Sequence, residues 1–170
     1  AYKVKKPIVL VGMMGAGKSA VGRALSGRLG VPFLDSDHEI EAAAAMSVAE
    51  VFERDGEAFF RNREAEVIAR LLATGPCVLS TGGGAYLRAD NRARIHEQGV
   101  AVWLRADLEL LWERVRHKST RPLLHTPDPK ATLTALYAPR FEVRRLQTVD
   151  LRGKRGPHRA CLALLRRPGG

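Results

Sequence analysis

A chain of 170 residues with 45% hydrophobic and 27% charged residues has the size and balance of one globular domain, able to bury roughly two-thirds of its unfolded surface. No apolar run approaches the ~20 residues of a membrane span, and the hydrophobic content excludes a disordered chain. The net charge of +10 sits at the ends: residues 1–6 carry +3, residues 140–170 carry +7, and residues 7–139 hold 16 charges of each sign.

Basic ends on a neutral body, with no aromatic platform beside them, do not suggest a nucleic-acid groove. They suit either local attraction of an anionic ligand or a solubilising face. Cys77 and Cys161 form no disulfide framework, and neither has a Cys or His at metal-ligand spacing. Both read as reduced, buried thiols. The first residues lack the apolar segment and cleavage site of a signal peptide. The expectation is a cytoplasmic protein with no membrane or nucleic-acid partner.

The first apolar run, Ile8-Val9-Leu10-Val11, predicts a strand. It leads into Gly12-Met13-Met14-Gly15-Ala16-Gly17-Lys18-Ser19, which fits G-x-x-x-x-G-K-[ST]. Val21, Ala24, Leu25 and Leu29 then recur at helical spacing, completing the strand, loop and helix that the motif requires. A polyphosphate at such a helix N-terminus meets unpaired backbone N–H groups and the positive end of the helix dipole. Lys18 would reach the β- and γ-phosphates, and the Ser19 hydroxyl would ligate Mg²⁺.

A second strand around residues 32–35 ends at Asp35-Ser36-Asp37. In open α/β sheets ligands lie beyond the carboxyl ends of the strands, so both carboxylates should face the crevice of the phosphate loop. Asp35 suits a place beside Mg²⁺, through water. Asp37 could accept a proton from a substrate hydroxyl, cap the helix beginning near Glu39, or do both.

Ser47-Val48-Ala49-Glu50 reads as a capping box for a short helix closing at Asp55-Gly56. A longer helix follows with Phe59, Phe60, Arg61, Arg63, Glu64, Val67, Ile68, Leu71 and Leu72. Arg61, after an aromatic pair, could fork onto a ligand carboxylate. Spacing alone favours a surface arginine paired with Glu64 or Glu57. A third strand, 77–81, runs into Gly82-Gly83-Gly84, and glycines there imply close approach of the backbone to something, a substrate being the expectation.

Next come a helix over about 88–98, a strand over 100–104 and a helix capped by Asp107 that carries Leu108, Leu111, Trp112 and Val115. Trp103 and Trp112 read as core. The polar stretch from Arg116 through Arg121-Pro122 to Pro129 has the length of a lid, and Arg121 is its candidate for stabilising a transferring phosphoryl group. A helix over about 129–145, a last strand at 147–151 and a terminal amphipathic helix complete the chain. Strands alternating with helices imply a parallel sheet covered on both faces.

Taken together, G-x-x-G-x-G-K-[ST], D-[ST]-D, F-R-x-R-E (Phe60 to Glu64), T-G-G-G (Thr81 to Gly84) and R-P-L-L (Arg121 to Leu124), in this order and spacing, resemble the shikimate kinases. The resemblance implies a single P-loop kinase domain over residues 1–170, three-layered α/β/α with a five-stranded parallel sheet in the order 2-3-1-4-5. It implies a lid at about 116–129 and a substrate-binding region at about 37–64. It further implies transfer of the ATP γ-phosphate to the 3-hydroxyl of shikimate by a monomer requiring Mg²⁺. By position, ATP would be held by Gly15, Ala16, Gly17, Lys18, Ser19, Ala20, Arg114 and Arg121, with Arg114 at the adenine. Asp37, Arg61, Gly83 and Arg140 would hold shikimate, Lys18, Asp37 and Arg121 would serve catalysis, and Ser19 and Asp35 would serve the metal. The late segment departs from the family pattern. Counting from Leu136 makes Arg140 the second carboxylate-binding residue, whereas aligning the prolines gives Tyr137; Arg140 is the assignment adopted. Rival readings are another small-molecule kinase of this fold, for gluconate or a nucleoside monophosphate, and a non-catalytic nucleotide-binding protein.

Overall fold

A computed structural model describes residues 3–118 and 122–137, and the backbone of 149–150. Five parallel strands form the sheet: β1 (Ile8–Val11), β2 (Phe33–Asp35), β3 (Val78–Ser80), β4 (Val100–Trp103) and β5 (Val149–Asp150). Their spatial order is β2-β3-β1-β4-β5. Register is fixed by pairs such as Val9 with Leu79 and Val9 with Ala101.

Each strand sends alternate residues to opposite faces, as a period of two requires. Val9, Val11, Leu79, Ala101 and Trp103 join one core cluster with Phe60, Val67, Ile68 and Leu71 of α3 (Val48–Leu72). Ile8, Leu10, Val78 and Val102 join the other with Val21, Leu25 and Leu29 of α1 (Lys18–Leu29). Both faces are thus covered, which is why the strands read as continuous apolar runs. A third cluster packs Met13 and Met14 of the phosphate loop against Leu111 and Val115 of α5 (Leu108–Val115), with Leu124 and Leu133.

Between β2 and α3 lies α2 (Ser36–Ala44), and α4 (Ala89–Gln98) precedes β4. The expected break at Gly56 is present: its φ of 83° and ψ of 171° interrupt α3, a conformation open to glycine and strained for other residues. Ser47 caps α3, its hydroxyl accepting from the Glu50 N–H at 3.2 Å. Asp107 stands at the N-cap of α5 without a side-chain capping bond. Trp103 is buried as expected, while Trp112 is half-buried beside the third cluster. The helix expected over about 129–145 is described at 129–137. The terminal helix lies outside the described residues. Among the described residues no helix is long and apolar enough to cross a membrane.

Candidate active site

The phosphate loop hangs between the ends of three strands. Val11 accepts from the Leu104 N–H at 2.9 Å, and the Leu10 carbonyl accepts from both the N–H and the hydroxyl of Thr81, at 3.2 and 3.0 Å. Gly17 stands at the N-cap of α1 with φ 93°, and no side chain caps that helix. Its first N–H groups therefore open towards a cavity, the arrangement that favours a bound anion. Lys18 Nζ donates to the carbonyls of Gly12 and Met13 at 2.7 and 3.0 Å, which anchors the ammonium over the loop.

Alpha-helix α5 backs the loop. Arg114 Nη1 donates to the Gly15 carbonyl at 2.8 Å. A Cβ on Gly15, whose φ is +82°, would meet Val115 Cγ1 at 2.9 Å. That glycine is demanded both by the turn and by the helix packed behind it.

At the end of β2, Asp35 is the N-cap of α2: its Oδ1 accepts from the N–H groups of Asp37 and His38 at 2.9 and 3.2 Å. The capping role considered for Asp37 therefore belongs to Asp35, because the helix starts one residue after the strand ends. The other Asp35 oxygen lies 3.4 Å from the Ser19 hydroxyl, which donates to it. Ser19 and Asp35, both expected near Mg²⁺, are thus adjacent. They offer hard oxygen donors, and among the described residues no group of three or more His, Cys, Asp or Glu is placed to hold a metal ion by itself. That donor set fits an ion keeping much of its coordination for water and phosphate oxygens.

Arg61 makes both of the pairings that its spacing favoured. Its Nη1 donates to Glu64 Oε1 at 2.9 Å, and its Nε lies 3.5 Å from Glu57 Oε1. Its guanidinium also lies 5.3 Å from the centre of the Phe60 ring. The pairing is not a surface one, since the Glu64 side chain is 1% exposed. Arg61 lines a cavity of about 790 Å³ with Asp37, Phe60, Glu64, Gly82, Gly83 and others, Pro122 and Leu123 among them.

The glycine run makes its closest approaches to the protein itself. A Cβ on Gly82 would lie 2.7 Å from Glu64 Oε2 and 3.0 Å from Asp37 Oδ1. One on Gly83 would lie 3.1 Å from the Met14 nitrogen. These glycines let two carboxylates and the phosphate loop crowd onto the end of β3, so the close approach expected of the run is made to the protein's own groups.

A second cavity, of about 580 Å³, is lined by Gly15, Ala16, Gly17, Lys18, Ser19, Ala20, Arg114, Lys118 and neighbours. Met14, Asp35, Asp37, Gly82 and Gly83 line both cavities. An anion held on α1 and a small molecule beside Arg61 would thus meet at Asp37. Arg121 and Arg140 lie outside the described residues. Tyr137, the alternative to Arg140, donates its hydroxyl to the Ala106 carbonyl at 3.3 Å and lines neither cavity.

Comparison with known proteins gives this geometry a family. The family model described as shikimate kinase matches residues 14–153. A shikimate kinase of Ruegeria pomeroyi is 70% identical over 140 residues, covering 82% of this chain and 72% of that protein. One of Cereibacter sphaeroides is 64% identical over 141 residues, covering 83% and 71%. The chain belongs to the shikimate kinase family. It is a kinase, a phosphotransferase of P-loop fold. A solved shikimate kinase of Acinetobacter baumannii, in complex with shikimate, superposes with a TM-score of 0.87 at 37% identity, covering 95% of this chain and 91% of that one.

Three residues at this shikimate kinase site escaped the reading of the sequence. Glu64 was visible only as a pairing partner. Its place four residues from both Phe60 and Ile68, on the apolar stripe of α3, was the available sign of burial. Met14 lies in the variable part of the loop motif, and Lys118 reaches the second cavity only through the packing of α5.

Proposed function

We propose that this protein transfers the γ-phosphoryl group of ATP to the 3-hydroxyl of shikimate, giving ADP and shikimate 3-phosphate. The carrying observation is that the cavity of the phosphate loop and the cavity of Arg61 share the Asp37 carboxylate. In that position Asp37 accepts the proton of the attacking hydroxyl, so the oxygen carries its lone pair to phosphorus as the bond to the β-bridging oxygen breaks. Holding the two reactants at one junction removes much of the entropic part of the barrier.

Gly15, Ala16, Gly17, Ser19 and Ala20 offer the loop and the open start of α1 to the phosphates. Lys18 follows the γ-phosphoryl group, and Arg114 holds the nucleotide's base end. Arg61, held by Glu64, forks onto the acceptor's carboxylate, joined by Arg140, while Gly83 contributes its backbone. Arg121 adds positive charge to the transferring group. Ser19 and Asp35 would hold Mg²⁺, which when bound neutralises charge on phosphate oxygens. On this reading the chain is one kinase domain, with residues 116–129 as its lid and 37–64 as its acceptor region.

The test is ADP release measured with ATP alone and with shikimate, gluconate or a nucleoside monophosphate added. Release that depends on shikimate is expected. Equal release with gluconate would replace the substrate, and none with any acceptor would leave a nucleotide-binding protein.

A further inference from the structure

We propose that Lys118 is a further nucleotide-binding residue of this enzyme, its ammonium meeting the phosphate chain of the nucleotide. The proposal rests on the reading above that the cavity of the phosphate loop takes ATP.

The helix that carries Lys118 to this place is fixed to the loop. Arg114 donates to the Gly15 carbonyl, and Val115 Cγ1 lies only 2.9 Å from where a Cβ on Gly15 would stand. Beyond α5 the chain continues for another turn, the Lys118 N–H donating to the Val115 carbonyl at 3.0 Å. Four residues on from Arg114, Lys118 therefore stands on the same side of the turn. Both line the cavity that holds Lys18, Ser19 and Ala20.

The basic neighbours of Lys118 already have partners. Arg116 lies 3.4 Å from Glu113, and Lys130 lies 3.3 Å from Glu109. Lys18 and Arg114 are bonded to loop carbonyls. Among the described residues Lys118 has no carboxylate within ion-pair distance. The carboxylates of its cavity are Asp35 and Asp37, and Asp35 is committed to capping α2 and to Ser19. A compact, rotatable ammonium at the mouth of a cavity with an anion-binding helix start suits a phosphate oxygen. A partly exposed pair of this kind weakens with salt.

The experiment measures ATP, ADP and adenosine affinity by competition against a fluorescent nucleotide, for the parent, Lys118→Gln and Lys118→Arg, at low and high potassium chloride. The expected result is that Lys118→Gln loosens ATP and ADP about tenfold at low salt, leaves adenosine unchanged and shows a shallower salt dependence than the parent. Lys118→Arg keeps most of the affinity, and both variants keep the parental melting temperature. Unchanged ATP and ADP affinity in Lys118→Gln would overturn the proposal, as would an equal loss for adenosine. A parent that binds neither nucleotide would instead overturn the kinase reading itself.

Discussion

Arg61 and Glu64 form an ion pair 2.9 Å long in which the glutamate is almost wholly buried and the arginine is 21% exposed and lines the larger of the two cavities described. The exposed partner is thus held by the hidden one. A charge-assisted bond of this kind contributes roughly 1.5–3 kcal/mol, and its loss frees a side chain with several rotatable bonds. Glu64→Gln should raise the shikimate dissociation constant about tenfold and leave ATP affinity in place. Arg61→Ala should raise it by about one to two decades. Calorimetric titration checks both, and parental shikimate affinity in Glu64→Gln would show that Arg61 needs no such support.

Two glycines give opposite expectations. Alanine at Gly82 would press a methyl group against Glu64 Oε2 and Asp37 Oδ1, neither of which lies at a loose surface end. Gly82→Ala should lower both the melting temperature and kcat/KM, the latter at least about tenfold through displacement of Asp37. Gly27 is exposed on α1 with nothing within 4 Å of its missing Cβ. Gly27→Ala should stabilise by about 0.4–1 kcal/mol without altering activity. Thermal denaturation and steady-state rates on the two variants test the pair; parental kinetics in Gly82→Ala would contradict the crowding argument.

The difference between what the sequence carried and what it hid follows the range of the interactions. The strand, loop and helix around Gly12 to Ser19 are written locally, in an apolar run, fixed glycines and an apolar stripe. So is the break at Gly56. Asp35 and Asp37 could be sent to the crevice by the strand-end rule alone. Which of them caps α2 could not, because that depends on a strand boundary, and boundaries are the least legible feature of a sequence. The tight surroundings of Gly82 depend on α3 and α2 meeting over the end of β3, and Lys118 depends on α5 resting on the phosphate loop. These are contacts across long stretches of chain that no spacing records.

Tyr137 is engaged with the Ala106 carbonyl. Tyr137→Phe should therefore leave the shikimate dissociation constant unchanged, while Arg140→Ala raises it by about one to two decades. Titration of shikimate against the two variants separates the assignments, and a larger loss in Tyr137→Phe would transfer the role to the tyrosine.

Burial pushes the Cys77 thiol above its ordinary value of 9.0. The folded chain therefore holds this proton more tightly than the unfolded one. Stability from the buried neutral thiol is fully present below pH 9 and is lost as pH rises through the higher folded value. Urea unfolding of the parent and of Cys77→Ala near neutrality and near pH 10 should show the larger alkaline loss in the parent. Equal losses in the two would contradict the assignment.

Asp37 lines both cavities, where the hydroxyl and the γ-phosphoryl group would meet. The most direct measurement is a rapid-quench single turnover of ATP and shikimate by Asp37→Asn, beside equilibrium titrations of both ligands. Phosphoryl transfer should be slowed by about 10²–10⁴, the scale of a lost proton acceptor, with nucleotide affinity close to parental. Phosphoryl transfer at the parental rate in a folded Asp37→Asn protein would contradict that role.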